Sequence, residues 1–321
     1  MAIADIHEDI IKTHILTRLD GRALSVAGCT SSRLQSLCSD QKLWSNICNS
    51  IWPSTGDPLV NVAISDFTSG HRSFFSDCIS GPNYCKTTTA SPSTPPTTQI
   101  ISSVDLKYHG ELIFSKVEFT NTTPSDWFQT SPFRIDLLEP KELVMSPLKI
   151  SGEDQVLLSD LKTNMTLSWI MIDPTQNRAV NLSSGKPVSV QRNWLTDDVE
   201  LTFAVVFPSD GSDYVNCNIQ ITCGVYEGCG ELTVSGVSLT VVDIYGKCLS
   251  GKDSMVILQG LAVAQRRRWG GAEEERERYN EYIQKRRERN EKMERKERRL
   301  DMAFVASGIA MLMAFWSFLM Y

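Results

Sequence analysis

Apolar spacing divides the chain into three zones. Over residues 1–52 the apolar positions recur at near-helical spacing in short runs. The first is Ile6, Ile10, Ile11, Ile15 and Leu19, which Asp20-Gly21 interrupts. Then come Leu24, Val26, Ala27 and Cys29, then Leu34, Leu37 and Cys38, then Leu43, Trp44, Ile47 and Cys48. Residues suited to cap first turns stand before three of the runs: Asp5 with Glu8 in the capping-box position, Ser31 or Ser32, and Asp40. The pattern predicts consecutive short helices.

From Ile100 to about Val263 the period becomes two. Leu201, Phe203, Val205 and Phe207 alternate with Thr202 and Ala204, and Cys217, Ile219, Ile221, Cys223 and Val225 with Asn218, Gln220 and Thr222. Both runs predict half-buried antiparallel strands. A phase slip at Gly236, between Leu232-Val234 and Val237-Leu239-Val241, predicts a bulge or bend. Further strands are predicted over residues 100–108, 111–119, 133–138 and 167–172. Many short strands without helical patterns between them suggest a sandwich or barrel. Residues 66–77 (DFTSGHRSFFSD) predict a short element packed between the two zones, and the Pro/Ser/Thr run ahead of the strands predicts a linker.

The third zone is a helix of charges over residues 272–301, without the sustained apolar seam of a dimeric coiled coil. Met302–Tyr321 follows, 20 residues without a charge. At about 1.5 Å per residue it reaches about 30 Å, the thickness of a bilayer's hydrocarbon core. Arg295, Lys296, Arg298 and Arg299 precede it, as on the cytosolic side of a span. The expectation is a tail anchor with the bulk of the chain in the cytosol and Trp316 and Tyr321 toward the far interface. A buried or oligomerising helix is the alternative.

Charge refines this picture. The chain of 321 residues carries 32 basic and 38 acidic residues. Residues 266–301 alone carry +4 and the remainder −10, so no general nucleic-acid surface is expected and the charged helix reads as a stalk or a segment drawn to anionic lipid. The nine cysteines form no C-x-x-C pair, and the N-terminus has no basic segment followed by an apolar run. Reduced thiols in a cytosolic protein, with the sequons at Asn121, Asn164 and Asn181 unused, are the expectation. There is no Gly-rich phosphate loop, G-x-S-x-G or H-E-x-x-H, and His7, His14, His71 and His109 are scattered. No catalytic residue, metal or cofactor is expected.

The N-terminal residues resemble the F-box family. The resemblance lies in the order HEDIIKTHILTRLD, GRALSVAGCTSSRLQSLC, then Asp40, Leu43, Trp44, Ile47 and Cys48 in a D-x-x-L-W-x-x-I-C arrangement. The family's opening Leu-Pro is replaced here by Ile6-His7. The resemblance implies that Ile10, Ile15, Leu16, Leu19, Leu24 and Trp44 serve the interface with a Skp-type adaptor, or its immediate support, and through it a cullin-RING ligase. With the HRSFFSD stretch and the Trp-, Arg- and Asn-rich residues 169–194, the chain resembles a group of plant F-box proteins with a β-rich domain and a hydrophobic tail. Trp169, Arg178, Arg192 and Trp194 are candidates for a target-recognition surface, since Trp and Arg are enriched at binding hot spots. Core tryptophans and solvated arginines are the competing reading.

The expected fold class is α+β and multidomain. Its parts are an all-α F-box unit (1–52), a connecting segment (53–85), a linker (86–98), an antiparallel sandwich-like target-recognition domain (99–264), a charged helix (265–301) and a transmembrane helix (302–321). The expected role is substrate recognition in a Skp–cullin–F-box ubiquitin ligase on the cytosolic face of a membrane. A membrane-anchored scaffold and a carbohydrate-binding module remain as alternatives, the latter because some plant F-box proteins carry lectin-like domains.

Overall fold

The computed structural model describes residues 7–83, 97–123, 125–149, 154–208, 214–225 and 231–320. The expected Asp5 cap, nearly all of the Pro/Ser/Thr linker and Tyr321 lie outside them. The fold is α+β and multidomain, as expected: N-terminal helices, antiparallel sheets and a long C-terminal helix.

The helical unit opens with α1 (Glu8–Ile10), which continues through a wider π-type turn (Ile11–Ile15) and a tight 3-10 turn (Leu16–Arg18). Then follow α2 (Gly21–Gly28), α3 (Ser32–Cys38), α4 (Gln41–Ile51), a 3-10 turn (Pro53–Gly56), α5 (Pro58–Ser65) and α6 (His71–Ile79). Caps fix the starts. Asp20 accepts from the Ala23 amide at 2.7 Å, Ser31 from Leu34 at 3.3 Å and Asp40 from Lys42 at 2.8 Å. Asp57 caps α5 ahead of Pro58, which supplies a preset φ where no amide partner is needed.

The core of this unit is aromatic. Trp44 is fully buried, and its indole donates to the Cys38 carbonyl at 2.7 Å. Its ring lies 5.3 Å from that of Phe75, and Trp52 sits 5.9 Å from both Phe74 and Phe75. Residues 53–79, expected to be a connector, therefore complete the helical core. The predicted element within residues 66–77 is realised in α6, which carries Phe74 and Phe75 against the neighbouring sheet.

That sheet has four strands in the order β3 (Glu111–Asn121), β2 (Gln99–Tyr108), β6 (Met165–Asp173), β7 (Arg178–Asn181). Period two puts Ile100, Val104, Leu106, Leu167, Trp169 and Met171 into the β domain's core, and Ile101, Ile170 and Ile172 into the helical core. Both faces are covered, so this sheet is the shared wall of the two halves.

The second sheet holds β8 (Ser189–Arg192), β9 (Val199–Pro208), β10 (Tyr214–Val225) and β11 (Glu231–Val242) in that order. Both β4 (Arg134–Asp136) and β5 (Val144–Lys149) pair with the far edge of β11. Leu201, Phe203, Val205 and Phe207 face the core with Cys217, Ile219, Ile221 and Cys223, as their alternation predicts. The slip is a bulge: Thr222 pairs with Gly236 and Cys223 with Val234, leaving Ser235 unpaired.

Helices do intervene among the strands, contrary to expectation. They are the short α7 (Asp126–Thr130), α8 (Asp154–Asn164) and α9 (Gly251–Val263). The last has a near-continuous apolar run whose period is ambiguous, and the Ser250 hydroxyl, accepting from the Asp253 amide at 3.2 Å, sets it as a helix. Residues 265–268, expected to open the charged helix, instead form β12 (Gln265–Arg268). It pairs antiparallel with β1 (Ser80–Asn83) just after α6. The long helix α10 starts at Ala272 and runs unbroken to Leu319, so charged and apolar segments are one rod.

Candidate interaction surfaces

The six residues expected at the adaptor interface separate by depth. Leu16, Leu24 and Trp44 are core and can only support a surface. Ile10 and Ile15 are 50% and 41% exposed, and Leu19 is half-buried. Val26, which the sequence reading did not assign to the interface, is 67% exposed on α2. Its position in the apolar cluster 24–29 was the available signal. The first segment is tied down by ion pairs of Lys12 with Asp40 and of Arg33 with Glu8. Hydrogen bonding to Lys12 holds the Asp40 carboxyl below its ordinary range.

The four candidates for target recognition do not converge on one surface. Trp169 is fully buried, and its indole donates to Ser102 Oγ at 3.2 Å. It is a core anchor, because inward positions of a doubly covered sheet have no route to solvent. Arg178 is engaged by Asp77, donating through Nε at 2.9 Å and through a terminal nitrogen at 3.1 Å. Arg192 pairs with Asp197 at 2.9 Å and holds the loop after β8. That loop presents Trp194, 91% exposed, with Leu195 beside it in sequence.

Two buried carboxylates join the helical unit to the β domain. Asp77 on α6 accepts from Arg178, from the Ala179 amide at 3.2 Å and from Arg266 Nε at 3.2 Å. Arg266 also donates to the Leu261 and Ala262 carbonyls at the end of α9 and to the Ala179 carbonyl. Asp105 on β2 accepts from the Ser54 amide at 2.9 Å, the Ser54 hydroxyl at 2.6 Å and Ser115 at 2.8 Å. Burial pushes its pKa up, and these donors oppose the rise.

Helix α10 docks through its first turns. Tyr282 is buried with Val206 and Ile244 and donates to the Asp243 carbonyl at 2.7 Å. From Glu291 onward every described residue is exposed. The apolar end is long and apolar enough to span a membrane, and none of that window is buried against the rest of the chain.

At the start of this helix Glu275 is buried, with one oxygen on Arg267 at 3.3 Å and on Arg278 at 3.1 Å. Burial raises its pKa from 4.5 to about 7; Arg267 opposes the shift and Glu274 adds to it. The folded chain thus keeps a proton that the unfolded chain releases. This contribution to stability is full below pH about 4.5 and is lost as pH rises through about 7. Melting of the full chain between pH 5 and 8 should show a falling midpoint. Glu275→Gln should flatten that fall, and the variant should be more stable than the parent at pH 8, by up to about 3 kcal/mol.

Curated relatives match nearly the whole chain. The F-box protein At2g27310 of Arabidopsis thaliana is 42% identical over 331 residues, covering 99% of this chain and 96% of the relative. The F-box protein At3g44326 is 38% identical, covering 96% and 87%, and the probable F-box protein At2g36090 is 43% identical, covering 96% and 90%, both from the same plant. The chain belongs to the F-box proteins. No family model and no solved structure matches it. In this F-box protein the likeness extends beyond the helices through the β domain to the apolar end, as expected from the order of its segments. Among the described residues, no three His, Cys, Asp or Glu side chains are grouped so as to hold a metal ion.

Proposed function

We propose that this F-box protein is a substrate-recognition subunit of a Skp–cullin–F-box ubiquitin ligase, held at the cytosolic face of a membrane. The carrying observation is that the first helical segment and α2, where the residue order resembles the family, keep Ile10, Ile15 and Val26 exposed over the buried Leu16, Leu24 and Trp44. Small helical units commonly bury such residues against a partner. The Skp-type adaptor would cover them, and Leu16, Leu24 and Trp44 would hold the helices in place. The loop of Arg192 and Trp194 is the best-exposed candidate for a target protein. Catalysis in this reading is proximity. The chain holds a target lysine near a ubiquitin-conjugating enzyme and transfers nothing itself.

The test of the ligase role is stoichiometric binding of a purified Skp-type adaptor to the full chain in lipid nanodiscs. Absence of binding by the folded chain would exclude it. The anchor has a separate test. Deleting residues 302–321 should move the protein from the membrane pellet to the supernatant on carbonate extraction of cells, and continued sedimentation of the truncated chain would disprove it.

A further inference from the structure

A cavity of about 520 Å³ lies where three parts of the fold meet, within the usual size of small-molecule sites. The helical unit contributes Ile51 and Trp52, β1 contributes Pro82, the four-stranded sheet contributes Ser168, and Trp269 closes it from the segment before α10. Most of the lining is apolar. Gly185 forms part of the wall. Its φ is +77°, a region that favours glycine, and a Cβ there would stand 3.2 Å from the Trp269 ring. Backbone and indole therefore approach closely on this side.

The charge on the walls is one-sided. Five charged side chains line the cavity, and three of them are answered within the fold. Lys107 donates to the Ile51 carbonyl at 2.8 Å and stands close enough to Asp105 to offset its charge. Asp105 also accepts from Ser54 and Ser115. Glu275 is held by Arg267 and Arg278. Arg22 and Lys186 remain. Among the described residues, neither side chain has a hydrogen-bond or ion-pair partner. Arg22 is exposed, and Lys186, though half-buried, keeps its ammonium open to solvent. Both can therefore be reached. Two unanswered cations beside apolar walls concentrate a positive field in the cavity. An amine would be repelled there, and a neutral molecule would leave both cations to water. An anion gains charge-assisted hydrogen bonds from them.

We propose that this cavity binds a small molecule with an apolar body and a single anionic group, the anion held by Arg22 and Lys186. Arg22 lies on α2 and Lys186 on the turn after β7, so the anion bridges the helical unit and the β domain.

The test is equilibrium dialysis of the full chain at pH 7.5 in nanodiscs of zwitterionic lipid, with empty nanodiscs as background. The probes are 2-naphthoate and 2-naphthamide, which share the ring and differ in charge. The parent chain should bind one naphthoate saturably, about tenfold or more tighter than the amide. The double variant Arg22→Gln, Lys186→Gln should bring naphthoate to the affinity of the amide and leave the amide unchanged. Its melting midpoint should match the parent's, because neither side chain holds a partner. Should the double variant unfold, each single variant carries the same reading, with a loss of about threefold or more for naphthoate alone. Equal binding of the two probes by the parent, or no saturable binding above background, overturns the proposal without recourse to any variant. A preference for naphthoate that survives the substitutions in a folded chain places the anion elsewhere and also overturns it.

Discussion

Replacing both Ile10 and Val26 with glutamate should weaken binding of a Skp-type adaptor at least a hundredfold and leave the fold intact. The two effects separate because of where the side chains sit. Each is at least half exposed, so a polar substitution changes folding stability by about 0.5 kcal/mol or less. At an interface the same change buries an unpaired carboxylate where an apolar anchor was needed, and two such losses exceed the 2.7 kcal/mol that a hundredfold change in Kd represents. Calorimetric titration of the adaptor into the variant measures the loss, and an unchanged melting midpoint shows that the helices survive. Leu24→Glu supplies the contrast, since Leu24 is fully buried and the charge should unfold the helical unit. Binding of the double variant within threefold of the parent would remove these residues from the adaptor surface.

Asp77→Ala should destabilise the chain by about 3–5 kcal/mol, more than any surface ion pair could. The carboxylate holds two guanidinium groups, and Arg266 is largely buried by the end of α9. Without Asp77 the two cations face each other across the junction with no counter-charge. Asp77→Asn keeps the shape and one of the two acceptor oxygens, so it should cost less than Asp77→Ala. Asp136→Ala is the control: its partner Arg134 is exposed, and the loss should stay below about 1 kcal/mol. Guanidinium denaturation, followed by the fluorescence of buried Trp44 and Trp169, reports both halves. A loss below 1 kcal/mol for Asp77→Ala would mean that the junction is held by apolar contact alone.

Where burial is one-sided, the sequence reading and the structure agree closely. Ser31 and Asp40 begin helices as read, and Leu201, Phe203, Val205 and Phe207 of β9 and Cys217, Ile219, Ile221 and Cys223 of β10 share one buried face as their alternation predicts. The reading fails where burial is two-sided. Strand β2 mixes Ile100-Ile101, Ser102-Ser103 and Asp105 because each face packs on a different core, and Asp105 is tolerated through Ser54, 51 residues earlier. Nothing local announces that partner. In helix α9 the run from Met255 to Val263 is broken only by Gln259 and Gly260, so its period does not tell a helix from a buried strand. The basic run of β12 resembled the helix after it until Asp77 and the β1 pairing gave it a place. Of the candidate surfaces, the N-terminal residues were legible as a set but not by depth, and Trp169 and Trp194, alike in sequence, lie at opposite extremes of exposure.

The β1–β12 pairing has a consequence for biosynthesis. Ser80 registers with Arg268, so the strand closing the helical unit waits for a partner translated 188 residues later. Closure across so long a loop is slow compared with local helix formation. A nascent chain can form α1 to α6 early, yet Asp77 lacks its second guanidinium and β1 keeps an unpaired edge until Arg266 and the rest of β12 have left the ribosome. Chains that terminate before that point should therefore be recognised by cellular quality control as unfinished, even though every residue of their N-terminal half is present.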